Sequence, residues 1–179
     1  WDHQQIFACM EKTEATIELK REVVEHLTVL GDTRPEVVHM LMTLLLDAAE
    51  WEEAVSHTPA LERRYALKIE DRRRLAMAYF RLGKLAEARH QLNYVVSRDA
   101  EDALSRLKLA EACEGLGLSD EAHTLYARAA RDFPKNPVVF LRLAQFLSMQ
   151  GDTAGAAEAN HRANALRGIR SQQRTLRPL

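Results

Sequence analysis

The sequence predicts an all-α protein, a solenoid of antiparallel helix pairs, and three observations carry that prediction. The 179 residues are rich in Ala, Leu, Arg and Glu, with only 7 Gly, 5 Pro and 6% aromatic residues, a composition that favours helices. Gly83, Gly117 and Gly151 stand at equal intervals along the chain. Around them Leu75, Leu109 and Leu143 fall into the same register, as do Ala76, Ala110 and Ala144, then Tyr79, Cys113 and Leu147, then Ala88, Ala122 and Ala156. A fixed period of this kind marks stacked repeats, each too small to bury its own apolar face.

The elements follow in order. Residues 1–34 are expected to hold an N-terminal helix, because 4–29 contain no breaker and Ile6, Met10, Ile17, Val24 and Leu27 mark one apolar face, interrupted by Thr13 and Lys20. That helix either caps the open end of the stack or forms a coiled-coil stalk. Residues 35–68 read as a degenerate copy: Leu41, Trp51 and Ala54 fit the register, and Ala49 takes the glycine place. Pro59 interrupts its second helix, and Thr58-Pro59 reads as an N-cap followed by the first residue of a new helix. Residues 59–68 are then a separate turn or run into a helix over 70–82. Three regular copies occupy 69–170. In each, glycine supplies the positive φ of the turn and alanines let the two helices cross closely. Residues 171–179 form a basic tail that closes with Pro178-Leu179 and is expected to be loosely ordered alone.

Several catalytic signals dissolve on inspection. Asp120-Glu121-Ala122-His123 spells the magnesium-binding box of a helicase. A nucleoside triphosphatase also needs the phosphate cradle G-x-x-x-x-G-K-[ST], and the Gly83-Lys84 pair is followed by Leu85 with Ala78 at the first glycine position. The residues before Asp120 read as a turn and helix start, with Ser119 as N-cap and Asp120 and Glu121 favoured by the positive helix end. His57, His90 and His123 also recur evenly, but their interval is slightly shorter than that of the glycines. They therefore drift through the repeat, point in different directions and do not form a metal ladder. Cys9 and Cys113 are isolated, which argues against a disulfide framework and a zinc site. No nucleophile elbow appears. We read the chain as non-enzymatic, with no cofactor and no metal.

The middle copy, with Leu109, Ala110, Gly117, Ala122, Tyr126, Ala129 and Pro134, resembles the tetratricopeptide repeat (TPR) family. The flanking copies depart at the proline position (Ala100, Gly168) and at the aromatic one (Asn160). The resemblance covers residues 69–170 directly. It implies a right-handed α-solenoid whose first helices line a concave groove that holds a peptide or helix of another protein. The family's groove-facing positions fall on Arg73, Arg74, Met77, Phe80 and Arg81, then on Leu104, Leu107, Lys108, Glu111 and Glu114, then on Val138, Leu141, Arg142 and Gln145. The carboxylate clamp of some chaperone-binding relatives is not expected here, since that register offers Arg73, Met77, Lys108, Val138 and Arg142 and both its asparagines are absent. The groove mixes apolar anchors with arginines, which suits a partner segment carrying acidic and apolar residues.

Two functions are therefore expected above others: a scaffold or adaptor module, such as the soluble part of a membrane-tethered assembly protein, or a small chaperone for a secreted or aggregation-prone client. The longest apolar stretch, Met40 to Leu46, is too short to span a bilayer, and the start at Trp1 suits a fragment or processed form that could have lost an upstream anchor. The absence of a secretory signal favours the cytoplasm without fixing it. Charge divides the chain. Residues 1–71 carry 15 Asp and Glu against 7 Lys and Arg, a net of −8, and residues 72–179 carry 11 against 18, a net of +7. No acid follows Glu158, whereas Arg162, Arg167, Arg170, Arg174 and Arg177 do. Arginines without an aromatic platform argue against nucleic acid as a ligand. The basic end is expected to dock an acidic partner or the acidic end of another copy. In the second case light scattering should show a dimer that dissociates as salt shortens the screening length below its physiological ~8 Å. A monomer at every salt concentration rules self-docking out.

Overall fold

The computed structural model describes residue 22, residues 35–64 and residues 67–175. The helices run α1 Pro35–Asp47, α2 Trp51–Ser56, α3 Thr58–Arg64, α4 Ile69–Arg81, α5 Leu85–Arg98, α6 Ala103–Gly115, α7 Ser119–Asp132, α8 Pro137–Met149 and α9 Thr153–Thr175. No strand occurs among the described residues. The protein is all-α, as expected. The N-terminal helix expected over 4–29 lies outside the described residues, as do the last four residues of the tail. The final helix reaches Thr175, beyond the residue 170 at which the third regular copy was expected to close.

One turn is built four times. After α4 the Gly83 N–H donates to the Phe80 carbonyl at 3.1 Å and the Lys84 N–H to the Tyr79 carbonyl at 2.9 Å. The same pair of bonds joins Gly117 to Glu114 and Leu118 to Cys113, then Gly151 to Ser148 and Asp152 to Leu147. It recurs a fourth time at Ala49 to Leu46 and Glu50 to Leu45. This is the Schellman closure, which needs a left-handed residue after the helix. Gly83, Gly117 and Gly151 have φ of 69°, 75° and 84°, and Ala49 has φ of 62°. The degenerate copy thus keeps the turn without the glycine, at the steric cost that a Cβ brings to that region.

Two expected helix starts shift. Ser119 is the first helical residue of α7, and Leu118 holds the cap position without a side-chain hydrogen bond. Gly117 and Leu118 both close the preceding helix, so the chain re-enters a helix at once. Likewise Thr58 is the first residue of α3, and its hydroxyl bonds no other described residue. His57, at φ −81° and ψ −15°, carries the chain from α2 to α3 in helical conformation, leaving no extended residue to act as a cap. Residues 67 and 68 are not helical, so α3 and α4 are distinct helices. Elsewhere caps are conventional: Asp102 accepts from the Ser105 N–H at 3.0 Å and Asn136 from the Val138 N–H at 3.1 Å, with Pro137 opening α8.

The chain divides into two compact units, residues 1–84 and 85–179. In the first, α1 packs on α2, α3 and α4, burying Met42, Leu45, Ala54, Leu61 and Leu75. Arg72 donates to Glu62 at 2.9 Å between α3 and α4, and Arg74 reaches back to Asp47 and to the Thr43 carbonyl at the end of α1. In the second unit α6 pairs with α7 and α8 with α9, while α5 packs on α6 and α8 touches both α6 and α7. Ala110, Ala122 and Ala144 are buried in these crossings. Arg106 is only 3% exposed; it pairs with Asp132, donates to the Ala100 carbonyl at 2.8 Å and lies over the Phe133 ring. In the same unit, Arg89 bridges both carboxylate oxygens of Glu121 at 2.8 Å, joining α5 to α7 over the buried Cys113. The hydrogen bond to Arg89 holds the Glu121 carboxyl below its usual range, and burial pushes the Cys113 thiol up.

The four turns make a direct comparison possible. Ala49→Gly should stabilise the protein by about 0.5–1 kcal/mol, because relief of the left-handed alanine outweighs the added freedom of the unfolded chain. Gly117→Ala should cost about 1 kcal/mol. Thermal melts of the two variants should move in opposite directions from the parent.

Candidate partner-binding face

The face is built by α6 and α8, the first helices of two consecutive repeats, which neighbour each other in the second unit. Residues three and four apart on a helix share a side, so Leu104, Lys108 and Glu111 line up along α6 while Val138, Arg142 and Gln145 do so along α8. Leu104 is 64% exposed and Val138 45%, an apolar pair near the N-terminal ends of the two helices. Leu107, expected among the anchors, is 3% exposed and belongs to the core. Leu141 is half-buried.

Polar residues cross the middle of the face. Lys108 Nζ lies 2.6 Å from one Glu111 oxygen, and Arg142 Nε lies 3.2 Å from the other. Arg142 also donates to Gln145 Oε1 at 3.2 Å. Glu111 is therefore held between two cations. One turn further along α6, Glu114 accepts a hydrogen bond from the Tyr126 hydroxyl at 2.9 Å. Tyr126 rises from α7, is 1% exposed, and packs its ring against Phe146 of α8 at a centroid separation of 5.1 Å. Burial, and then the Glu114 hydrogen bond, push the Tyr126 phenol far above its usual range.

Beyond this pair opens a cavity of about 690 Å³, lined by Glu111, Glu114, Tyr126, Arg142, Phe146 and Met149 among others, with Ser148 and Asn160 on its wall. The repeat register explains the opening. Asn160 stands one full period after Tyr126, and Ser148 stands one full period after Glu114. The phenol–carboxylate contact of one repeat is replaced by an amide and a hydroxyl in the next, neither long enough to fill the same space. Asn160 was legible in the sequence as a departure from the aromatic position; the resulting cavity was not.

In the first unit, α4 carries the other expected groove residues. Arg73 pairs with Glu70 one turn back on its own helix, and Arg74 is bound to α1 as described, a link made by side chains far apart in sequence. Met77 is 39% exposed, Phe80 is half-buried and Arg81 is exposed. His90 and His123 are exposed and His57 is half-buried, its imidazole pKa lowered by burial against the opposing pull of Glu53. Among the described residues no group of His, Cys, Asp and Glu could hold a metal ion. Nor is any described helix long and apolar enough to cross a membrane.

The sequence profile of the tetratricopeptide repeat family matches residues 73–137 and 114–167. The chain belongs to the TPR family. Solved TPR structures resemble it at low identity. MamA from Desulfovibrio magneticus RS-1 is 17% identical, with a TM-score of 0.68 over 87% of this chain and 96% of that one. YrrB, described as a TPR protein with an unusual peptide-binding site, is 13% identical, with a TM-score of 0.68 over 89% and 91%. PcrH, solved in complex with the chaperone-binding region of PopB, is 25% identical, with a TM-score of 0.52 over 56% of this chain and 82% of that one. No curated protein matches the chain in sequence.

The Tyr126 phenol gives this face a pH signature. A group with a raised folded pKa contributes stability that is fully present below its unfolded pKa, about 10 for tyrosine, and is lost as pH rises above that. Stability should therefore fall above about pH 10, and Tyr126→Phe should flatten that fall while costing about 1 kcal/mol at neutral pH through the lost hydrogen bond. Denaturant melts of both proteins from neutral pH to the alkaline limit check the difference in slope.

Proposed function

We propose that this TPR protein is an interaction module, a scaffold or adaptor that holds an extended or helical segment of another protein against the face of α6 and α8. The observation that carries this reading is the juxtaposition on one face of exposed Leu104 and Val138, the Lys108–Glu111–Arg142 cluster and an open cavity. Apolar anchors flanked by fixed charges are what a segment needs to gain both burial and register. The partner segment is expected to cover Leu104 and Val138 with apolar residues and to place acidic residues near Lys108 and Arg142. Met77, Phe80, Arg73 and Arg81 of α4, in the first unit, are proposed as partner contacts from their register alone, while Arg74 is engaged by Asp47 and the Thr43 carbonyl. Leu107, Leu141 and Gln145 support the face from within or at its edge.

A second reading, a chaperone that keeps an aggregation-prone client soluble, is favoured by one observation: the likeness to PcrH, whose structure holds a segment of PopB. Light scattering of a client that aggregates alone separates the two readings. A chaperone suppresses that aggregation, whereas an adaptor joins partners that are each soluble.

The binding face itself is tested by selecting peptides from a displayed random library on the parent protein, then measuring them on a Leu104→Asp/Val138→Asp variant with an unchanged helical spectrum. Affinity should fall about tenfold or more, the loss of a single well-buried anchor. Peptides that bind both proteins equally would move the interaction to another surface.

A further inference from the structure

We propose that the cavity between Glu114 and Asn160 receives one Lys or Arg side chain of the partner segment, with the cation on the Glu114 carboxylate and the methylenes along Met149. This rests on the reading of the α6–α8 face as a polypeptide-binding surface, and names the side chain that surface selects.

The two carboxylates of the cavity wall are not equivalent. Glu111 is neutralised by Lys108 at 2.6 Å and Arg142 at 3.2 Å. Glu114 receives one hydrogen bond among the described residues, from the uncharged Tyr126 phenol. That bond fixes the carboxylate through Oε2 and leaves Oε1 for a ligand. The phenol cannot take over the role of cation, since it has one proton and spends it on Glu114. Arg142 stands on the same wall, but it is drawn to Glu111 and Gln145, and so the cavity is electrically divided. One part, with Lys108 and Arg142 on Glu111, is net positive. The other presents a negative charge.

The remaining walls suit a long cationic side chain. Ser148 and Asn160 offer a hydroxyl and an amide oxygen to the further donors of an ammonium or guanidinium group, and neither side chain bonds another described residue. Met149, 67% exposed on the cavity wall, supplies apolar surface for the methylene stem. Lys and Arg are the side chains that combine such a stem with a charged head. A carboxylate in the same place would meet Glu114, and an aliphatic side chain would strip water from Glu114 without replacing it.

The test uses the displayed library of the preceding section. Among peptides whose binding depends on Leu104 and Val138, one position should be occupied by Lys or Arg. For a synthetic peptide from that set, replacing this residue by norleucine should weaken binding to the parent protein about tenfold. The same replacement should change little on Glu114→Gln, which keeps the shape and the acceptor for Tyr126 but removes the charge. Asn160→Tyr, which restores the ring of the preceding repeat, should also abolish the preference by filling the cavity while leaving the dependence on Leu104 and Val138. The proposal is overturned if no basic position emerges, or if norleucine still costs tenfold on Glu114→Gln. Peptides indifferent to Leu104 and Val138 would instead overturn the binding face itself, a separate result.

Discussion

A helix can reverse into an antiparallel partner within three residues only if one of them adopts a positive φ, because the last carbonyls of the first helix must be met by amides pointing back along the axis. In this protein α1 to α2, α6 to α7 and α8 to α9 reverse within three residues, and the end of α4 carries the same closure. All four close with the same two backbone hydrogen bonds. The repeat period, the alanines at the crossings and the side that each second helix presents all follow from that closure. If the turn were longer by one residue, the second helix would enter rotated by about 100° and present a different face, as 3.6 residues per turn require.

The same register governs the candidate site. Repetition brings equivalent residues of successive first helices side by side, so a substitution in one copy alters a surface without disturbing the scaffold beneath it. Tyr126 and Asn160 illustrate this. The turn, the crossing alanines and the helix ends are shared by the two repeats, yet one position holds a buried ring bonded to a carboxylate and the other holds an exposed amide beside an open space. Specificity can diverge along such a chain at little structural cost, because each helix pair contacts its neighbours alone.

Most of the fold was readable from positions that repeat, and most of what was not readable lies in contacts that do not. Gly83, Gly117 and Gly151 announced the turns, and Ala49 could be placed as a fourth because the other three defined where to look. Ser119 and Thr58 mislead for a local reason: both look like caps, but Leu118 already holds the cap position before Ser119, and His57 before Thr58 is helical. The site was harder. Register placed Lys108, Glu111 and Arg142 on one face, but it could not separate Leu104 from Leu107, which differ by one turn of helix and in full exposure. Nor could it reveal that Arg74 and Arg106 serve the scaffold, because their partners Asp47 and Asp132 lie far away in sequence and outside any periodic position.

Cys113 occupies the position held by Tyr79 and Leu147 in the adjoining copies, and there it is fully enclosed beneath the Arg89–Glu121 bridge. A thiolate must be both formed and reached to react, and burial opposes both. Its rate of alkylation is therefore a clock for separation of α5 from α7, ticking only when the second unit opens locally. With Cys9 replaced, the chain would carry a single natural reporter at the centre of its most regular repeat. Partner binding that tightens the stack would slow the clock, and binding that merely decorates the surface would leave it running unchanged.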